Sequence, residues 1–340
     1  MNEMRKRRCM RKVTLLLVSF VAAFAAALTL LYLVGNRIEQ AGNAQARGDL
    51  STRFEEPRRM EYNGRLYQYR SKITTILVMG TDTSGQDNGI SALRNGGQAD
   101  FLLLMVIDDQ RKTITPIQID RDTMAEITVT GVMGDSAGTR IAQICLAHGF
   151  GDGGEESCLY TATAVGGYLK GAVVDFYVAV NLTGIALIND MLGGVTVTLK
   201  DDFTALDPAM KKGATLRLKG KQAEYYVRNR MGIGIGTNEA RMERQRSFLA
   251  EALRLLDAKL EQDSGFAGTL YDALESCMFT NMRRGRMINE AYASRHYQRE
   301  ETVVPAGTHE IGADGFMEFH PDTAALEALV TDVFYEPLPG

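Results

Sequence analysis

The sequence predicts an α/β fold, a mixed central sheet flanked by helices and preceded by one N-terminal transmembrane helix. Three observations carry this. Short β-rich apolar runs alternate with helix-patterned stretches. Two of those runs are joined by a five-residue polar connector of hairpin type. Near the N-terminus, residues 13–34 run for 22 positions without a charge.

That stretch, "VTLLLVSFVAAFAAALTLLYLV", would rise roughly 33 Å as a helix, enough for a hydrocarbon core of about 30 Å. A cleaved signal peptide competes, but its apolar region is normally about 7–15 residues long. Residues 1–12, "MNEMRKRRCMRK", hold six basic side chains and one acid, and such a cluster stays cytoplasmic by the positive-inside rule. The expectation is a single-pass cell-membrane protein, N-terminus cytoplasmic and everything after residue 35 extracellular. Residues 35–71, polar and rich in Arg, Glu, Gln and Gly, read as a stalk.

From residue 73 the folded part begins. "ITTILVMG" (73–80), "FLLLMVI" (101–107) and "TITPIQI" (113–119) are strands, with "DDQRK" as the turn between the last two. "VVDFYVAVN" (173–181) is a strand, "LTGIALINDML" a short helix and "GGVTVTL" (193–199) another strand. "KGKQAEYYVRNR" (219–230) reads as a helix of about three turns. Thr237 or Asn238 caps the next helix, which runs to about residue 260. After the polar stretch 261–302, "MEFH" is a strand and "DTAALEALVTDVFY" a closing helix. There is no internal repeat and no low-complexity tract.

Charge narrows the function. The net charge is −4, and removing the +5 of residues 1–12 leaves −9 for residues 13–340. Such a domain outside a membrane is poorly suited to binding nucleic acid. Of the four cysteines, Cys145, Cys158 and Cys277 fall outside the membrane. A Cys145–Cys158 bridge and three unpaired thiols are both compatible with the sequence.

Against that acidic background, "YYVRNRMGIGIGTNEARMERQR" (225–246) gathers Arg228, Arg230, Arg241, Arg244 and Arg246 around a glycine-rich loop. At 100° per residue, Arg241 and Gln245 share a helix stripe with Phe248, Ala252 and Leu256. An arginine at the N-terminal end of an apolar face looks into a cleft, where the helix dipole also favours anions. Arg244 and Arg246 read as solvated. Arg228 and Arg230, two residues apart, diverge on a helix, so at most one faces a ligand. Guanidinium forks match phosphate oxygens in pairs, as lysine cannot.

Three more charges stand at strand ends: Asp82 after the first strand, Asp100 at the start of the second and Arg121 after the third. A hairpin sets Asp100 beside Asp120 and Arg121. Asp82 joins them if strands 73–80 and 113–119 point the same way. Paired carboxylates at one sheet edge suit Mg²⁺ sharing its shell with phosphates and water. An Asp after a strand is also a common turn former.

In this order, "ILVMGTD", "QADFLLLMVI", "PIQIDRDTM", "DFYVAVN" with "INDMLGGVTV", and "LKGKQAEYYVRNR" followed by "NEARMERQR" resemble the LytR-CpsA-Psr family of bacterial cell-envelope proteins. The resemblance covers about residues 73–260, so 72–260 is the implied catalytic domain. "MEFHPDTAALEALVTDVFY" looks like the tail of a clostridial-type branch, and 261–340 is an extension packing on the same domain. The resemblance implies a phosphotransferase that moves an anionic glycan polymer from an undecaprenyl-pyrophosphate carrier to peptidoglycan through a phosphodiester bond. It implies Asp82 and Asp100 for Mg²⁺ (or Mn²⁺), and Arg121, Arg228, Arg230, Arg241 and Gln245 around the pyrophosphate.

Two positions depart from the family's commonest pattern. Gln98 replaces an arginine and Asn238 an aspartate, so a general base is not assigned by the motif; Asp122 is the remaining candidate. An isoprenoid slot would use "VVDFYVAV" with Ile185 and Leu187, residues that also suit plain core. Competing readings are a pyrophosphatase acting on the same lipid head group and a non-catalytic envelope binder or regulator.

Overall fold

The computed structural model describes residues 58–82, 97–131 and 136–338. The expected membrane anchor at 13–34, the basic segment before it and most of the expected stalk lie outside the described residues. Among the described residues, no helix is long and apolar enough to cross a membrane.

The strands in chain order are β1 (Arg59–Tyr62), β2 (Arg65–Tyr69), β3 (Ile73–Thr81), β4 (Ala99–Asp108), β5 (Thr113–Ile119), β6 (Met124–Thr130), β7 (Ser136–Gln143) and β8 (Phe176–Asn181). Then follow β9 (Thr196–Thr198), β10 (Thr215–Arg217), β11 (Met278–Thr280), β12 (Gln298–Arg299), β13 (Gly307–Ile311), β14 (Met317–Pro321) and β15 (Tyr335–Pro337). The α-helices are α1 (Glu155–Tyr168), α2 (Leu182–Met191), α3 (Lys221–Arg228), α4 (Asn238–Gln262), α5 (Phe266–Leu274), α6 (Arg284–Ser294) and α7 (Thr323–Phe334).

The central sheet has the order β11-β8-β3-β4-β5-β12. β4 runs antiparallel to both β3 and β5, while β3 pairs parallel with β8 and β5 parallel with β12. The sheet is therefore mixed, as the sequence predicts. Because β4 opposes both neighbours, β3 and β5 point the same way. Their C-terminal ends, the C-terminal end of β8 and the start of β4 meet at one edge.

Period-two alternation divides the sheet into two faces. Leu77, Leu102, Leu104 and Ile117 are fully buried on one face, beneath Val165 of α1 and Phe334 of α7. The opposite face carries Val78, Phe101 and Val180, and there α2, α4 and α5 enclose an apolar tunnel. Two of these helices, α2 and α4, begin at capped ends. Asn181 accepts hydrogen bonds from the backbone N–H groups of Thr183 (3.0 Å) and Gly184 (3.4 Å), and Thr237 accepts from that of Ala240 at 3.3 Å.

Several expectations need correction. Residues 59–69 do not continue a stalk: β1 and β2 form a hairpin whose open edge pairs with β15. Tyr69 packs on Phe334 and Tyr335, with ring centroids 6.1 and 5.1 Å apart. That alternation is hidden among arginines in the sequence. The helix expected over 219–230 spans only Lys221–Arg228, leaving Asn229 extended. Helix α1 had no sequence signal, since its Ala, Thr and Gly residues spread apolarity around the cylinder. The polar stretch 261–302 contains α5, α6, β11 and β12. All three described cysteines are unpaired and buried, so the Cys145–Cys158 bridge is not formed.

Candidate functional site: an arginine–carboxylate edge at the mouth of an apolar tunnel

Asp82, Asp100 and Arg121 stand at the shared edge. Asp82 is tied back to the start of β4: its backbone N–H donates to Gln98 O at 3.2 Å, and its Oδ1 accepts from the Gln98 N–H at 2.7 Å. Arg121 lies at the centre. Its Nη1 donates to Asp100 Oδ1 and its Nη2 to Gln98 Oε1. Nη2 also donates to Cys145 Sγ at 3.0 Å. Its Nε lies 3.3 Å from Asp122 Oδ1 but lacks the angle for a hydrogen bond, so the contact is an ion pair only.

Arg241 enters from the first turn of α4, only 3% exposed. Its Nη1 lies 3.7 Å from Asp100 Oδ2, and its Nη2 donates to Asn238 Oδ1 at 2.6 Å. Asp100 thus bridges the two arginines. Desolvation lowers the pKa of Arg241 against the opposing pull of Asp100. Desolvation also acts to lower that of Arg121, but Cys145, Asp100 and Asp122 outweigh it and the net shift is upward. Both stay charged, as guanidinium groups do in proteins.

Asp122 is the one carboxylate here with an oxygen that is buried and unpartnered, Oδ2. Burial raises its pKa above the usual carboxylate value, with Arg121 opposing. The Cys145 thiol is pushed up to about 11 by burial and is inert as a nucleophile at neutral pH. Among the described residues, no group of three His, Cys, Asp or Glu side chains is placed to hold a metal ion. Asp82 and Asp100 line the same cavity as a pair. Both are hard oxygen donors of the kind Mg²⁺ takes, while Gln98 Oε1 and Asp100 Oδ1 already accept from Arg121.

The tunnel begins at these charges and runs between the sheet and α4. Asp82, Asp100, Arg228, Arg241 and Gln245 line its polar end, and it encloses about 250 Å³. Phe248, Ala252 and Leu256, the stripe that continues from Arg241 and Gln245, line its apolar length together with Phe101, Val180 and Ile185. Leu187, expected here, is not among the lining residues and packs instead against the cluster of Val180, Leu274, Cys277 and Met278.

The remaining arginines divide differently from the sequence reading. Arg228 is half exposed, pairs with Glu224 at 3.3 Å and borders the tunnel. The Arg230 side chain makes no hydrogen bond or ion pair among the described residues, yet its charge acts on Asp122 and Arg241. Both border the site because α3 ends at Arg228, which removes the helical divergence argued from spacing.

Arg244 is not solvated: it is 4% exposed. It donates to Tyr226 O at 3.0 Å and to Asn229 O, and pairs with Asp201 at 3.1 Å. Arg246 reaches inward to Gln118 Oε1 at 2.9 Å. Gln118 in turn donates to Gln245 Oε1 at 3.1 Å, and Gln245 donates to Val227 O at 3.1 Å. The glycine loop serves this lock. Gly234 has φ +54°, and a Cβ there would meet Asp201 Oδ1 at 2.4 Å. Sequence reasoning missed Arg244 and Gln118, since an inward polar residue on a charged helix or an apolar strand has no period of its own.

The site is thus a basic, carboxylate-flanked mouth on an apolar tunnel in a mixed α/β domain. The LytR_cpsA_psr family model matches residues 34–332, and the chain belongs to that family. It is similar to the polyisoprenyl-teichoic acid–peptidoglycan teichoic acid transferase TagU of Bacillus mycoides (strain KBAB4), 26% identical over 258 residues, covering 75% of this chain and 76% of that protein. Among solved structures its fold is similar to that of protein gbs0355 from Streptococcus agalactiae (TM-score 0.63, 22% identity, 77% of this chain and 86% of that one). It is also similar to TagT bound to LIIa-WTA (TM-score 0.58, 19% identity, 77% and 90% covered).

Proposed function

We propose that this protein transfers an anionic glycan polymer from an undecaprenyl-pyrophosphate carrier to peptidoglycan, forming a phosphodiester bond. The observation that carries the proposal is one cavity lined by hydrocarbon along its length and by Arg228 and Arg241 at its polar end, with Arg121 joined to Arg241 through Asp100. Family membership and the similarity to TagU support the same reaction class. Each isoprenoid CH₂ buried in the tunnel would contribute about 0.8 kcal/mol.

In the proposed reaction Arg121 and Arg241 grip the pyrophosphate, with Arg228 and Arg230 at its rim, Gln98 and Asn238 holding the arginine forks in place and Gln245 lining the polar end of the cavity. An acceptor hydroxyl of peptidoglycan attacks the phosphorus attached to the glycan. The bond from that phosphorus to the bridging oxygen breaks, and polyprenyl phosphate leaves with the electron pair. Asp122 takes the hydroxyl proton, a role suited to a buried carboxylate of raised pKa. The arginines stabilise the charge that spreads over the transferring phosphoryl group. Asp82 and Asp100 are the residues that would hold Mg²⁺ (or Mn²⁺), which when bound supplies further positive charge at the phosphates.

The proposal includes an anchor at 13–34, a cytoplasmic N-terminus and a domain outside the cell, since the carrier lipid stays in the bilayer. Its test is incubation of the full chain with a lipid-pyrophosphoryl glycan, Mg²⁺ and peptidoglycan. A joined glycan–peptidoglycan product is expected, lost in R121A and R241A. Release of lipid phosphate with no joined product would make the protein a pyrophosphatase instead. Unchanged joining by both variants would remove the catalytic reading.

A further inference from the structure

Asp120 is 3% exposed, and among the described residues no arginine lies within ion-pair distance of it. Its Oδ1 accepts from Asn238 Nδ2 at 2.7 Å and from the Asp122 backbone N–H at 2.8 Å. Its Oδ2 lies 2.9 Å from Nε2 of His309, which comes from β13, far along the chain. Asn238 therefore stands between an acceptor-only carboxylate and the donor-only guanidinium of Arg241. Only an amide satisfies both neighbours, and only with Nδ2 toward Asp120 and Oδ1 toward Arg241. An aspartate at this position would face Asp120 with like charge.

The β13–β14 hairpin is clipped to the same edge. The Phe319 N–H donates to Asp122 O at 2.8 Å, and Gln143 Nε2 donates to Met317 O at 3.1 Å. The His309 ring packs on Phe319, centroids 4.9 Å apart, and its Nδ1 lies 3.3 Å from Glu239 Oε1 in the first turn of α4. The imidazole is thus held between carboxylates of two elements, Asp120 at the end of β5 and Glu239 on α4. Glu318, on the neighbouring strand, pairs with His320 at 3.0 Å instead.

We propose that His309 is a positioning residue for Arg241, acting through Asp120 and Asn238. The proposal rests on the reading of Arg241 as a pyrophosphate ligand. By donating Nε2–H to Asp120 Oδ2, the imidazole fixes the carboxylate whose other oxygen orients the Asn238 amide, and through it the fork of Arg241.

The test is calorimetric binding of geranylgeranyl pyrophosphate to the detergent-solubilised full chain, H309A, H309Q and R241A. H309A is expected to bind about tenfold more weakly, the worth of one charge-assisted hydrogen bond. In H309Q the side-chain amide donates in place of Nε2, so most of the affinity returns. If H309A does not fold, H309L, which keeps an apolar contact with Phe319 but donates nothing, takes its place. H309A binding within twofold of the parent, or H309Q binding as weakly as H309A, overturns the proposal. In that event a large loss in R241A leaves the pyrophosphate reading standing; R241A binding normally removes both.

Discussion

Replacing Arg244 by methionine tests whether the arginine-rich stretch is built around a structural lock as well as an anion site. Methionine keeps a long apolar stem but removes every donor. Arg244 satisfies a buried carbonyl within the last turn of α3, Tyr226 O, and a half-buried one just beyond it, Asn229 O, and faces Asp201. Its guanidinium also lies 5.4 Å from the Phe203 ring centroid. Each buried carbonyl left without a partner costs about 1–3 kcal/mol. Asp201 is 22% exposed and regains water, so its share is small. Two such losses sum to about 2–6 kcal/mol, and the usual cost of removing one partner from a buried charged network narrows this to about 3–5 kcal/mol. At roughly 2 °C per kcal/mol for a domain of this size, thermal unfolding followed by circular dichroism should drop by about 6–10 °C. R244K should recover less than half of it, because an ammonium cannot fork between two carbonyls. A shift below about 2 °C would refute the lock and return Arg244 to the solvated face suggested by its spacing.

Two further outcomes follow from the site. Burial raises the Asp122 pKa, so between the ordinary aspartate value of 3.8 and the raised folded value the folded state holds more proton than the unfolded one, and stability falls as pH rises through that window. D122N should therefore be at least as stable as the parent at pH 7, lose that advantage as pH falls toward 3.8, and lose glycan transfer; urea titrations at several pH values and the joining assay check both. Ala252 is buried and lines the tunnel at some remove from the arginines. A252F should weaken geranylgeranyl pyrophosphate binding at least tenfold while leaving inorganic pyrophosphate binding unchanged, since it fills the hydrocarbon path and not the head-group site; equal losses for both ligands would mean that the tunnel and the edge are not one site.

The sequence alone determined whatever rests on local pattern. The runs at 73–80, 101–107 and 113–119 are β3, β4 and β5 because strand-length apolar segments bounded by turns have few other solutions. Hairpin logic then brought Asp100 to Arg121, and a 3.6-residue period put Arg241, Gln245, Phe248, Ala252 and Leu256 on one stripe, which is the stripe that lines the tunnel. Tertiary structure decided whatever depends on partners distant in the chain. Arg244 and Arg246 carry the same charge at neighbouring positions, yet one caps the end of α3 and the other reaches a glutamine on β5. Leu187 and Ile185 read alike, but only Ile185 faces the cavity. His309 gave no signal, being a lone histidine whose meaning comes from Asp120, 189 residues earlier. Periodicity reports which way a side chain points from its own element; the burial of a charge, and so its role, is fixed by the groups that the fold brings against it.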